Sequence, residues 1–201
     1  MKLHATRRLP AAARRRTILE AALGLLAKEG YAGMTTASVA RTAGVAEPIL
    51  YRHFSSKRVM LRALLDEVVT RMMAAFQELI QGEVDPVAAL RKICLGYPVL
   101  SQRYREEFRI VNQTLVHVND RATRLLLVRH YESYHAFLQN LIERGQQNGT
   151  LRRDIPASVG AWHLIHSALG FLMTQDLRGE ERARRDAKKL AEATLAGLIS
   201  K

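Results

Sequence analysis

Residues 36–57 read TASVARTAGVAEPILYRHFSSK, and this stretch decides the fold. Thr35 or Thr36 can cap a helix whose apolar face is Val39, Ala40 and Ala43. Gly44 follows, and glycine accepts positive φ without steric penalty, so the chain can turn sharply there. A short helix then runs from about Ala46 to His53, with Pro48 in its first turn, where a missing N–H costs little. The order Leu50-Tyr51-Arg52-His53-Phe54 points two apolar anchors inward and a phenol, a guanidinium and an imidazole outward. Two short helices joined by a tight glycine turn, the second presenting polar groups, have the shape of a helix-turn-helix that reads DNA.

Working outward, Pro10 suits the first turn of a preceding helix in which Ile18, Ala22, Leu25 and Leu26 recur at helical spacing. That helix should stop at Gly30. Residues 1–9, with Arg7 and Arg8, read as a mobile arm. On the other side, Ser55 or Ser56 caps a fourth helix at about 57–80 carrying Leu61, Leu64, Leu65, Val68, Met72 and Phe76. Gly82 and Pro86 mark the next break. Helices are expected at about 86–101, 104–118, 121–147, 156–177 and 180–199, with breaks near Pro98, at Asn119-Asp120, Gly149, Asp154-Ile155-Pro156 and Gly179. No strand pair, internal repeat or low-complexity tract is seen. The expected fold is therefore all-α, with about nine helices. Residues 1–56 would form an arm and a three-helix DNA-binding domain, and residues 57–201 a helical effector-binding and dimerisation domain.

A chain of 201 residues buries a sizeable core, and its 48% apolar and 25% charged content is ordinary globular usage. The net charge of +12 is uneven: residues 1–57 hold ten Lys and Arg against three Glu, a net +7. That suits a polyanionic partner, although a solubilising excess reads the same way. Cys94 is the only cysteine, which excludes an intrachain disulfide and a cysteine-based zinc cluster and fits a reducing cytoplasm. No apolar run approaches the roughly 20 residues of a membrane span. The basic N-terminus is followed by an apolar segment broken by Glu20, unlike a signal peptide.

The case for DNA is positional. Lys57, Arg58 and Arg62 occupy the first two turns of the fourth helix, where the helix dipole disfavours cations. A phosphate at that N-terminus reverses the penalty and gains backbone N–H contacts. Tyr51 and His53 can donate to phosphate oxygens, and Thr36 can do so with its hydroxyl or backbone. Each side chain alone reads as an ordinary half-exposed residue. It is their joint spacing that points to nucleic acid.

Residues of about 14–65 resemble the N-terminal domain of the tetracycline-repressor (TetR) family. The resemblance is carried by Gly30-Tyr31, Thr35-Thr36, Val39-Ala40, Ala43-Gly44-Val45, Leu50-Tyr51, His53-Phe54, Lys57 and Leu61. It implies a homodimeric transcriptional regulator whose third helix enters the major groove of a palindromic operator and whose body binds a small effector. On that resemblance Thr36, Tyr51, His53 and Lys57 fall on phosphate-contacting positions, and Ala46, Glu47, Pro48, Ile49 and Arg52 on the reading face. Ala46 stands where the family commonly has Ser, and Pro48 where Gly is frequent. Ile49 could touch a thymine methyl, Glu47 could accept from cytosine N4, and Arg52 could pair with guanine. Glu47 serves equally well as a first-turn acid on the helix dipole. Arg7, Arg8, Arg14, Arg15 and Arg16 could track phosphates or enter a minor groove.

The last two expected helices carry apolar stripes: Ala161, Leu164, Ile165, Ala168, Leu169 and Leu172 on one, Ala187, Leu190, Ala191, Thr194 and Leu198 on the other. With the small Gly160 they suit an isologous four-helix dimer interface, though an intramolecular core has the same periodicity. An effector pocket would lie between helices of the body. Candidate lining residues are Met72, Phe76, Tyr97, Phe108, His117 and Tyr131, together with Tyr134, Phe137, Trp162, His166 and Met173. A mainly apolar set with a few phenols and imidazoles suits a lipophilic effector carrying one or two polar groups. His163 and His166 are spaced i, i+3, but no further convergent ligand can be placed, so no metal is expected. No cofactor motif or catalytic constellation is present, so no enzyme activity is expected. The leading reading is a repressor. Its rivals are an activator or broad DNA-binding regulator on the same scaffold and, last, a helical small-molecule-binding protein or enzyme.

Overall fold

The computed structural model describes residues 10–117 and 120–200. Among them are nine helices: α1 (Ala11–Gly33), α2 (Thr36–Thr42), α3 (Glu47–His53), α4 (Lys57–Leu79), α5 (Pro86–Arg103), α6 (Arg105–His117), α7 (Arg121–Gln147), α8 (Ala157–Arg178) and α9 (Glu180–Ala196). The fold is all-α. Arg7 and Arg8 of the expected arm, the expected break at Asn119 and the side chain of His117 lie outside the described residues. No described helix is long and apolar enough to cross a membrane.

The chain divides into two compact units, Met1–Val68 with Arg109–His117, and Val69–Phe108 with Val118–Lys201. In the first, α1 loses helical geometry at Gly30, which takes φ 69° and ψ −179°. Of the two candidate threonines, Thr35 is the cap. Its Oγ1 accepts from the Ser38 N–H at 3.0 Å, while the Thr35 N–H donates to Ser38 Oγ at 2.9 Å. This capping box satisfies two helix-end groups at once and contributes about 1 kcal/mol. It also explains why Ser38, a polar residue, is buried beside Val39 and Ala40. Gly44 has φ 64°, and the Val45 N–H returns to the Ala40 carbonyl at 2.9 Å, closing the turn. α3 begins at Glu47, one residue later than expected, because Ala46 takes the extended N-cap conformation. Leu50 and Phe54 are buried with Ile18, Leu19, Val39, Leu61 and Leu64. Each such side chain contributes about 1.5–3 kcal/mol of burial, which fixes the two short helices against α1 and α4. In α6, Arg109 donates to the Ala27 carbonyl of α1.

In the second unit α5 packs against α7, α8 and α9, and α7 packs against α8. Asp85 caps α5 through the Val87 and Ala88 N–H groups, and Asp120 caps α7 through Thr123. The expected break near Pro98 does not occur: α5 continues through it to Arg103. A mid-helix proline costs about 3 kcal/mol. The buried Ile93 and Tyr97 before it and Leu100 and Ser101 after it hold one packed face in place. α9 ends at Ala196, short of the expected 199. There the chain turns into an antiparallel bridge in which Arg152 N–H donates to the Leu198 carbonyl at 3.0 Å and Ser200 N–H to that of Thr150 at 3.1 Å.

Candidate nucleic-acid interface and effector site

The helix-turn-helix brings distant side chains together on one exposed surface. The Thr36 and Tyr51 hydroxyls are 3.2 Å apart, linking the first turn of α2 to α3. Tyr51 is 49% exposed, so its ring is a surface feature and not a core plug. The Lys57 ammonium donates to the Ala32 carbonyl at 3.4 Å and lies 4.1 Å from the Tyr31 ring centroid. Partial burial lowers its pKa. Ala46, Glu47, Pro48 and Arg52 are exposed, whereas Ile49 and His53 are half-buried. His53 therefore presents one edge outward while its ring packs at 6.4 Å from Phe54. Arg15 of α1 also meets Phe54, its guanidinium 5.3 Å from the ring centroid.

Two of these partners escaped the sequence reading as site residues. Tyr31 orients Lys57 across a separation in the chain that no periodicity reports. Arg15 was read only as part of a basic run, with no aromatic partner.

The second unit holds an aromatic cluster. Phe76 of α4 lies 4.9 Å from Tyr134 of α7, edge to face, and 6.1 Å from Tyr97 of α5, stacked. Tyr97 also meets Phe108 at 5.5 Å and Phe171 of α8 at 6.3 Å. His130 joins Tyr131 and Tyr134 at 5.5 and 6.1 Å. Phe76, Tyr97, Phe108, Tyr131 and Tyr134 are thus brought together, with Phe171 and His130 as members the expected pocket lacked. Met72 is buried on α4, and Phe137 is half-buried on α7. Trp162 and His166 sit elsewhere, in an exposed group with His135 at 5.0 and 5.6 Å from the Trp162 ring. Met173 is 66% exposed.

Beside the cluster is a cavity of about 60 Å³. Cys94 and Tyr97 of α5, Leu164, Ala168 and Phe171 of α8, and Leu190 and Thr194 of α9 line it. Burial, then the Glu192 charge, pushes the Cys94 thiol up to about 12, so it behaves as a small apolar side chain. Burial likewise raises Tyr97, Tyr131 and Tyr134, each phenol being further disfavoured as an anion by its neighbours except Tyr131, where burial alone acts. It holds the His130 imidazole down at about 4, hence neutral. No group of three or more metal-ligating side chains occurs among the described residues.

Residues 18–64 match the bacterial regulatory proteins of the tetR family. The nucleoid occlusion factor SlmA of Marinobacter nauticus is 28% identical over 148 residues, 74% of this chain and 76% of that protein. SlmA proteins of Vibrio campbellii and Escherichia coli reach 35% and 37%, but the match spans only 41% and 42% of their length. Residues 18–64 thus form a domain of the tetR family. The fold is shared with solved transcriptional regulators over nearly the whole chain. SmeT of Stenotrophomonas maltophilia in complex with triclosan superposes with a TM-score of 0.80 at 23% identity, covering 94% of this chain and 93% of that one. FadR of Bacillus subtilis in complex with stearoyl-CoA superposes at 0.78 and 18%, covering 90% and 98%.

Within the matched domain, Ala46 and Pro48 stand where the resemblance leads one to expect Ser and Gly. The apolar stripes on α8 and α9 divide. Ala161, Leu164, Ile165 and Leu198 are buried within the chain itself. Gly160 approaches its own Ile142 and Leu198, where an added Cβ would lie at 3.1 and 3.3 Å. Ala168, Leu172 and Thr194 are half-buried, and Leu190 is 43% exposed. The apolar surface left outward on α8 is Val159, Trp162, Met173 and Leu177.

Proposed function

We propose that the protein is a ligand-responsive, homodimeric repressor of transcription that acts in the cytoplasm and binds a palindromic operator. The observation that carries this reading is the hydroxyl pair of Thr36 and exposed Tyr51, with Lys57 held over the exposed Tyr31 ring, beside an α3 whose Glu47, Pro48 and Arg52 are open to solvent. Thr36, Tyr51, His53 and Lys57 would hold phosphates, and Ala46, Glu47, Pro48, Ile49 and Arg52 would face the bases. Residues 1–56 would bind DNA and residues 57–201 would take the effector and pair the subunits. The outward apolar residues of α8, with Leu190 of α9, offer a self-complementary dimer surface.

The effector would be small and lipophilic. Support comes from the aromatic cluster and from SmeT and FadR, whose structures hold triclosan and stearoyl-CoA. The effector must favour one separation of the two reading helices to act at all. Half-sites about 34–36 Å apart, or a multiple, would fit the effector-free form. A second reading, a regulator spread over many genomic sites, is favoured by the likeness to the nucleoid occlusion factors. Selection of genomic fragments by the purified chain, followed by sequencing, separates them. One or a few palindromes support the repressor, many related sites the second reading, and fragments with no shared motif would overturn both.

A further inference from the structure

We infer that the interior of the second unit selects apolar ligands bearing an uncharged hydrogen-bond acceptor, a ketone, ester or ether oxygen, through the hydroxyls of Tyr97, Tyr131 and Tyr134. This rests on the proposal that the unit takes an effector, and adds what that effector must carry.

The three phenols belong to one assembly. Tyr134 and Tyr97 share Phe76 at 4.9 and 6.1 Å, and Tyr131 and Tyr134 share His130 at 5.5 and 6.1 Å. Tyr97 is at the same time a wall of the cavity between α5, α8 and α9. None of the three hydroxyls makes a hydrogen bond among the described residues. Yet among those residues no sealed side-chain oxygen or nitrogen lacks a partner. Hydroxyls that are unpartnered but not sealed open onto space that another atom can enter. Each of these groups is then a donor that a ligand oxygen can engage in place of water.

The surroundings fix the charge of what satisfies them. Burial keeps all three phenols protonated, hence donors, reinforced at Tyr97 and Tyr134 by neighbouring phenols, and burial keeps His130 neutral. No cationic side chain lines the cavity. The nearby carboxylate, Glu192, makes an ion pair with Arg91 at 3.4 Å and acts on Cys94 as a negative charge. A carboxylate ligand would be stripped of water with no cation to meet it, next to an existing negative charge. An ammonium ligand could use the phenol oxygens as acceptors but would leave the three O–H protons without one. A carbonyl or ether oxygen accepts from two hydroxyls and brings no charge, while its apolar body lies against Leu164, Phe171 and Leu190. The cavity of about 60 Å³ is smaller than the roughly 300–1,000 Å³ of occupied ligand sites, so such a ligand enlarges it.

Isothermal titration of the full chain with methyl nonyl ketone, undecane and undecanoate tests this. The ketone should bind at least about ten-fold more tightly than either of the others. Tyr97→Phe, Tyr131→Phe and Tyr134→Phe combined should bring the ketone down to the alkane and leave the alkane unchanged, with thermal unfolding reporting that the variant folds. Where the triple variant does not fold, half-buried Tyr131→Phe alone should weaken the ketone several-fold and not the alkane. Undecanoate or undecane binding as tightly as the ketone would overturn the inference and leave the effector reading standing. Binding of none of the three would overturn both.

Discussion

Tyrosine hydroxyls do opposite work in the two units. Outside, Tyr51 stands half in water with its hydroxyl 3.2 Å from that of Thr36. The pair holds the ring upright across two helices and costs nothing to leave, because water replaces either partner. Inside, buried Tyr97 and half-buried Tyr131 and Tyr134 pack on Phe76, Phe171 and His130, and their hydroxyls have no partner among the described residues. The outer hydroxyl is positioned to exchange partners. The inner ones lack any. On the proposed reading the same functional group would serve registration on DNA on one surface and ligand selectivity in the other unit, because its surroundings differ.

The largest expected effect breaks the inner half of the comparison. Phe76 is 1% exposed and touches two of the three phenols' rings. Phe76→Ala should cost about 3–5 kcal/mol in chemical denaturation, against less than about 1 for Tyr51→Phe. Equal costs would mean that the interior is no better packed than the surface.

The next sharpens it by pH. The His130 imidazole falls from 6.5 to about 4 in the folded chain. Between those values the unfolded chain binds more protons, so stability rises with pH. The contribution is complete above pH 6.5 and disappears as pH falls toward 4, on the order of 3 kcal/mol at most. The melting temperature should drop across that window, and less steeply in His130→Gln. Identical slopes would place the imidazole in water.

Smaller effects concern the outer face. Arg52→Ala should cost about 1–3 kcal/mol on a selected operator and relax preference at one base pair, read by competition among operator variants. Lys57→Ala should weaken all sequences alike and lower the slope of log affinity against log salt by about one. A change confined to one operator would move Lys57 from the phosphates to the bases. Least of all, Tyr51→Phe should reduce operator affinity by about ten-fold or less while the melt is unchanged. Unchanged affinity in both Tyr51→Phe and Lys57→Ala would remove this surface from the DNA complex.

The helix-turn-helix was legible because its determinants are local. Gly44 turns where it stands, Thr35 caps three residues ahead, and Leu50 and Phe54 declare a buried side four residues apart. The body was legible as helices but not as faces. α8 is apolar around much of its circumference, so Ala161 and Trp162, adjacent in the chain, could not be sorted into 0% and 38% exposure without their neighbours. Pro98 misled for a related reason: a local cost was visible, while the packing of Tyr97 and Leu100 that overrides it depends on other helices. The Trp162 group and the phenol cluster look alike in composition and differ only in what surrounds them.

Lys57 rests over the ring of Tyr31 and against the Ala32 carbonyl before any DNA arrives. A free lysine side chain gives up close to 2 kcal/mol of rotamer freedom when it is fixed. Here much of that freedom is surrendered on folding, to an aromatic ring. In the proposed complex the ammonium then needs only a short displacement to meet a phosphate, and the entropy of recognition falls on a residue the DNA never touches. Tyr31 would thereby set how readily the surface engages DNA.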